Sequence, residues 1–171
     1  MSVRIAGVGQ GGEPKNMIVG FPSAKHKMDL TAATESSGNT TASHKYKWGD
    51  FNVSMSMTVS ANNSGRSGNG YMKIETLDYY DVTNFSKLCI AAKHTCGEHT
   101  SHAWHVRLID ENGKETVIYK GSNNNFVAKS IDISSYQGRY KICVTLTTGY
   151  ATYGYGESTT SINVSTLALM K

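Results

Sequence analysis

Proline is almost missing from this chain. Pro14 and Pro22 are its two prolines, and the 149 residues after Pro22 hold none. Proline removes a backbone donor and is kept out of paired central strands, so a long proline-free stretch suits a sheet. Leucine is scarce as well, with seven copies in 171 residues, which argues against a helical bundle. Charged residues make up 18% of the chain, below the roughly 25% of an average globular protein. The 39% hydrophobic share then excludes a charge-rich disordered chain. No apolar run approaches the roughly 18 residues of a membrane-spanning helix, so membrane insertion is not expected. The opening MSVRIAGVGQGG has one arginine and no apolar core, so no secretory leader is expected. Cysteine is limited to Cys89, Cys96 and Cys143. An odd count without a leader reads as free thiols in a reducing compartment. Catalytic signatures are missing too: there is no Gly-x-Ser-x-Gly elbow, and the 13 acids offer no recognisable pair across a cleft. The expectation is a protein that is not an enzyme.

What is abundant is small and polar: 36 serines and threonines, 12 asparagines and 17 glycines. The net charge of +4 comes from 13 lysines and four arginines spread along the chain. A nucleic-acid binder concentrates such charge on one face. The densest basic–aromatic stretch is His44-Lys45-Tyr46-Lys47-Trp48. On a strand its alternation puts His44, Tyr46 and Trp48 on one face and the lysines on the other. No nucleic-acid partner is expected from it.

Both prolines fall early, so residues 1–25 read as an amino-terminal arm and residues 26–171 as the folded body. In residues 51–60, FNVSMSMTVS, the residues Phe51, Val53, Met55, Met57 and Val59 alternate with polar ones. That is the pattern of an antiparallel strand with one buried face. Residues 61–70, ANNSGRSGNG, read as a loop. Further strands are expected at 71–76, 88–93, 104–109, 116–120, 126–133, 140–147 and 161–170. Asp110-Glu111-Asn112-Gly113 turns one hairpin. Eight or nine strands with polar connections give an all-β fold, an antiparallel jelly-roll β-sandwich with an extended amino-terminal arm.

One pattern occurs twice. Asp81-Val82-Thr83-Asn84-Phe85 precedes Leu88-Cys89-Ile90, and Asp132-Ile133-Ser134-Ser135-Tyr136 precedes Tyr140-Lys141-Ile142-Cys143. Each reads as a strand end, a turn capped by the Asp or the hydroxyl, and an aromatic plugging the core before the next strand. This pattern resembles the galactose-binding-like jelly-roll modules found in carbohydrate-binding domains and in bacteriophage tail, fibre and capsid-decoration proteins. The resemblance covers residues 71–148. It implies a display or binding function, and no calcium or sugar residues of those families map onto this sequence.

Three motifs invite a chemical reading. Gly7-Val8-Gly9-Gln10-Gly11-Gly12 matches G-x-G-x-x-G, with Asp29 downstream. No helix can follow it through Pro14, Gly20 and Pro22, so it is read as an extended arm rather than a nucleotide site. Residues 94–105 hold four of the six histidines and Cys96. Were 97–101 a loop between two paired strands, His94 or Cys96 would face His102 across the ladder. His94, Cys96, His99 and His102 are therefore candidate zinc ligands. Finally, Tyr150, Tyr153 and Tyr155 stand among small residues in what reads as a loop at 148–157. Tyrosine offers large contact area at low entropic cost. These three and Trp104 are the candidate ligand or interface residues.

The combined expectation is a bacteriophage virion structural protein on capsid or tail, homo-oligomeric, contacting other virion proteins and a host surface glycan. The alternative is a carbohydrate-binding module of a bacterial system. A third reading is a metal-dependent enzyme on a jelly-roll barrel, centred on the histidine cluster.

Overall fold

A computed structural model describes residues 17–19, 28–36, 40–49, 52–61, 66–97, 101–152 and 156–171. The described residues form twelve strands and no helix. They are β1 (Met17–Val19), β2 (Met28–Ser36), β3 (Thr40–Trp48), β4 (Val53–Ala61), β5 (Arg66–Thr76), β6 (Tyr80–Asp81), β7 (Lys87–Cys96), β8 (Ser101–Asp110), β9 (Glu115–Lys120), β10 (Phe126–Asp132), β11 (Arg139–Thr152) and β12 (Gly156–Met170). The first sheet runs β10-β7-β12-β4-β3 and the second β2-β5-β11-β8-β9. Every pairing is antiparallel. The fold is an antiparallel jelly-roll β-sandwich, as the alternation and turn signals require.

Side-chain parity builds the core. Val53, Met55, Met57 and Val59 have no exposed surface, while the serines and threonine between them are only half-buried; Phe51 lies outside the described residues. On β12, Thr160, Ile162 and Val164 face inward, and then Leu167 and Leu169 do. A register shift between Val164 and Thr166 explains the change. One inserted residue flips every later side chain to the other face. From β11, Ile142, Val144 and Leu146 meet Ile74 and Met72 of β5 in the same core.

The two short strands lengthen the sheets in the same way. β4 pairs with β12 as far as Val164, and β1 takes up that side through Met17↔Ala168. β5 pairs with β11 from Cys143 onward, and β6 takes the remainder at Arg139 and Tyr140. The repeated motif lies beside these joints. Asp81 Oδ1 accepts from the Thr83 amide at 3.0 Å, and Asp132 Oδ1 from the Ser134 amide at 2.9 Å. The Thr83 and Ser134 hydroxyls, and then these amides, hold both carboxyls below their ordinary range. The Phe85 and Tyr136 amides each donate back 2.9 Å to the Val82 and Ile133 carbonyls. The two turns also clasp each other: Val82 N donates to Gly138 O and Ile133 N to Ser86 O, both at 2.9 Å. Val82 and Ile133 are fully buried, and both aromatics pack on the core.

Four expectations change. Residues 66–70 are strand, not loop, since β5 pairs with β11 down to Arg66↔Thr152 and with β2 on its other side. Two flanking ladders override the weak intrinsic preference of Gly, Ser and Asn for strands. By the same ladder β11 runs on to Thr152, so Tyr150 is a strand residue opposite Gly68 rather than part of a loop. Within residues 1–25, β1 joins the first sheet, and Ile18 and Val19 have no exposed surface; at these two residues the segment enters the core it was expected to stay out of. Residues 1–16 and 20–25 lie outside the described residues. Twelve strands replace eight or nine because β1, β2 and β6 lack a clear alternation and β3 shows one only over residues 44–48.

Candidate functional site

The histidine cluster does not assemble as the sequence suggests. β7 belongs to the first sheet and β8 to the second, so His94 and His102 cannot meet across a ladder. They approach instead through the interior between the sheets. His94 is fully buried, with Nε2 and Thr160 Oγ1 2.9 Å apart. His102 Nδ1 lies 2.9 Å from Thr148 Oγ1. Burial, and then the nearby His102, push the His94 imidazole down to about 4. Burial also lowers His102, against a Gly97 backbone bond that raises it. Both rings are thus hydrogen-bonded to threonines and disfavour their charged forms. Cys96 is half-buried with its thiol raised by burial, and His99 lies outside the described residues. Among the described residues no three His, Cys, Asp or Glu side chains are grouped to hold a metal. Of the candidate zinc ligands, His94, Cys96 and His102 are therefore not grouped in the described structure, and His99 falls outside it.

Trp104 is corrected as well. Its ring has no exposed surface. It meets Tyr119 edge-on at 5.5 Å and donates from Nε1 to Ser122 O at 3.0 Å. A Cβ on Gly121 would fall 1.7 Å from the indole, so only glycine lets the backbone lie on that ring. Residues 121–125 close this end of the sandwich. Asn124 Oδ1 accepts from Cys96 N at 2.7 Å, and Asn125 O from His94 N at 3.0 Å. Trp104 is a core anchor and not a ligand surface. The side chain of Tyr150, and all of Tyr153 and Tyr155, lie outside what the structure describes.

On β3, His44, Tyr46 and Trp48 stand opposite Met57, Met55 and Val53, as the alternation requires. Tyr46 is still 58% exposed, because β3 is the edge strand. The lysines face outward beside Ser54 and Ser56, lining a depression open to solvent.

A dense array of charged and hydrogen-bonding groups lies on the outer face of the second sheet. β11 is its middle strand. Thr145 stands between Lys73 of β5 and His105 of β8, and Cys143 between Glu75 and Arg107. Thr147 adds Tyr71 on one side and Ala103 on the other. Lys120 pairs with His105 from β9. Cys143 and Thr145 have no exposed surface although they point away from the core. The longer side chains of β5 and β8 flank and shield them.

An ion-pair network ties these flanks together. Lys73 Nζ lies 2.7 Å from Glu75 Oε2, and Lys141 Nζ lies 3.3 Å from Glu75 Oε1. Arg107 Nη1 donates to Glu115 Oε2 at 2.8 Å. Burial alone would raise Glu75, but its two lysines outweigh it and hold the carboxyl low. Burial pulls Lys73 down, and Glu75 more than restores it. Burial, with the nearby Cys143 and Glu115, pushes the Tyr71 phenol up to about 12. Burial likewise pushes the Cys143 thiol up to about 12. Tyr71 therefore stays a neutral donor and acceptor, and the thiol stays protonated and unreactive.

Three atoms of this face are left over. His105 Nδ1, Arg107 Nε and Thr145 Oγ1 are buried and have no hydrogen-bond partner among the described residues. Each such group costs about 1–3 kcal/mol. They sit on adjacent strands, and two of them face each other in the Thr145↔His105 pair. This row is the candidate site. The period-two placement of Tyr71, Lys73 and Glu75, and of His105 and Arg107, was visible in the sequence. The pairing of β5 and β8 with β11 was not.

No family model and no curated protein matches the sequence. Several solved structures resemble it. A family 11 carbohydrate-binding module from Clostridium thermocellum, in complex with a β-1,3-1,4-mixed-linked tetrasaccharide, is 15% identical over 91% of this chain and 94% of that one, with a TM-score of 0.45. An exo-β-agarase is 11% identical over 91% of this chain and 25% of that one, with a TM-score of 0.42. The enzymatically active domain of tailspike protein 4 of bacteriophage CBA120 is 16% identical over 82% of this chain and 19% of that one, with a TM-score of 0.36. Other carbohydrate-binding modules match in the same manner, and at these identities the likeness is one of fold.

Proposed function

We propose that this protein is a carbohydrate-binding module without catalytic function, and that it holds its ligand on the outer face of the second sheet. The observation that carries the reading is the row His105–Thr145–Lys73 with its neighbour Arg107. Here buried polar atoms lack partners among the described residues, on a face of mostly hydrogen-bonding side chains. Buried polar groups are normally paired. A saccharide offers donors and acceptors at close spacing along an extended chain, which matches a sheet face in shape and chemistry. Tyr71 and Lys73 on one side, and His105 and Arg107 on the other, would hold it over β11. Those atoms are shielded in the free protein, so seating a ligand requires the longer side chains to move, while the strands beneath stay in place. Nothing in the fold or on this face favours the virion reading over this one.

The test is binding of the full chain to a glycan array, followed by calorimetry on the best ligand. Tyr71→Ala and Arg107→Ala should each weaken binding by about tenfold or more, the equivalent of about 1.4 kcal/mol. Ser54→Ala, on the other sheet, should leave it unchanged. An array without a single bound glycan, or equal affinities for all three variants, would overturn the proposal.

A further inference from the structure

We infer that the part of this face formed by His105, Arg107, Thr145 and Lys120 is a seat for an anionic group, the carboxylate or sulfate of an acidic saccharide. The inference rests on the reading of this face as a glycan-binding surface and adds the class of ligand.

Charge is distributed unevenly across the sheet. At the β2–β5 side, Asp29 is paired with Glu75 in register, and Glu75 is already engaged by Lys73 and Lys141. At the β8–β9 side, His105 lies opposite Lys120 and two residues from Arg107. Glu115 takes one nitrogen of the guanidinium, Nη1, and leaves Nε–H unspent and buried. An Nε–H can only donate, so its missing partner is an acceptor. Thr145, paired with His105 two residues along the same ladder, carries a second unmatched hydroxyl on this face. Burial, and then the charges of Arg107 and Lys120, hold His105 below its ordinary range, as expected where the surrounding potential is positive. An oxyanion satisfies an arginine nitrogen and a hydroxyl together, through charge-assisted hydrogen bonds about twice as strong as neutral ones. A neutral sugar hydroxyl would satisfy the geometry and leave the excess positive charge unanswered.

Pairs of ligands that differ only in charge test this. Oligogalacturonate and its methyl ester share one skeleton, and a sulfated oligosaccharide with its desulfated form makes a second pair. Binding of the full chain to each member would be measured by calorimetry at low and at physiological salt. In at least one pair the acidic member should bind about tenfold tighter, and the gap should shrink as salt screens it. The preferred pair tells carboxylate from sulfate. Arg107→Gln should close the gap, weakening the acidic member about tenfold more than the neutral one. Lys120→Gln, at an exposed position, should narrow the gap even if the first variant fails to fold. Equal or tighter binding of the neutral members, lost on Tyr71→Ala, would overturn the anion seat and leave the face as a glycan site. Failure of every saccharide to bind would remove both readings. Equal affinity for a short single-stranded DNA would also overturn the inference, since the seat would then select charge without sugar.

Discussion

Acid should unfold this protein through His94. The imidazole is fully buried on β7, its Nε2 is shared with Thr160, and its Nδ1 has no partner among the described residues. Protonation would place a second donor, and a charge, where nothing accepts them. The folded-state value is pushed down from 6.5 to about 4 by burial and then by His102. An unfolded chain restores the ordinary value, so unfolding takes up a proton at any pH between the two. The stabilisation is complete above about pH 6.5 and is lost as pH falls towards about pH 4. The slope is about 1.4 kcal/mol per pH unit. Over this window the loss is about 3 kcal/mol, a large share of the 5–15 kcal/mol that typically holds a domain together. Urea unfolding at closely spaced pH values would measure it. His94→Gln is the control, because glutamine can still bond Thr160 and does not titrate in this range. Wild type should lose about 3 kcal/mol more than the variant across the window. The depressed His102 and His105 remain in both proteins and cancel in the difference. Parallel pH dependences would refute the reasoning and mean that His94 finds an acceptor when charged.

The core and its thiols can be probed as directly. Val53→Asp should cost about 3–5 kcal/mol, because it buries an unpaired carboxylate at a position without exposed surface. Ser54→Asp, one residue on, should cost about 0.5 kcal/mol in the same denaturation assay. Gly121→Ala should lower stability by about 1–3 kcal/mol, since the new methyl would fall 1.7 Å from a Trp104 ring that cannot retreat; an unchanged Tm would show that residues 121–125 yield. Iodoacetamide followed by mass spectrometry should leave Cys143 unmodified in the folded protein, given its buried thiol raised to about 12. The partly exposed Cys89 and Cys96 should react, and rapid labelling of Cys143 would mean that the second sheet opens at β11.

Local chemistry made some of this structure legible beforehand. The alternation from Val53 to Val59 needed no partner to be read, and the repeated Asp-β-branched-hydroxyl turns cap themselves with their own side chains. The Asp110 turn does so too, accepting from the Asn112 and Lys114 amides at 2.9 Å. What could not be read was which sheet a strand joins. His94 and His102 are close in sequence, yet β7 and β8 enter opposite sheets, which turned an expected ligand cluster into two threonine-bonded rings facing through the core. Trp104 misled for a related reason. A tryptophan beside histidines suggests a binding surface, while its burial depends on Tyr119 and Gly121 of the next strand and loop. The glycine- and serine-rich ends of β5 and β11 read as loops because their strand character comes from neighbouring ladders.

The two outer faces explain why the site belongs on one sheet rather than the other. Both are polar, and both are built from alternating positions of antiparallel strands. On the first sheet the small polar groups pair among themselves. Thr58 and Thr159 share a hydrogen bond of 2.8 Å, Asn163 donates to Ser54 at 2.7 Å, and Ser60 donates to Glu157 at 3.1 Å. Such a ladder is stable without a ligand. On the second sheet the outer residues Cys143 and Thr145 of β11 are as fully buried as its inner ones. Its long neighbours pair at their tips and leave His105 Nδ1, Arg107 Nε and Thr145 Oγ1 unmatched beneath them. The strand under this row is held by β5 on one side and β8 on the other, so its backbone is ordered before any ligand arrives. Binding then has to reorder only the tips of a few side chains, at about 0.5–1.5 kcal/mol each. Supplying the missing partners returns a comparable amount for every group satisfied. A rigid strand carrying unsatisfied polar groups therefore favours the second sheet as the place where a polar ligand gains most.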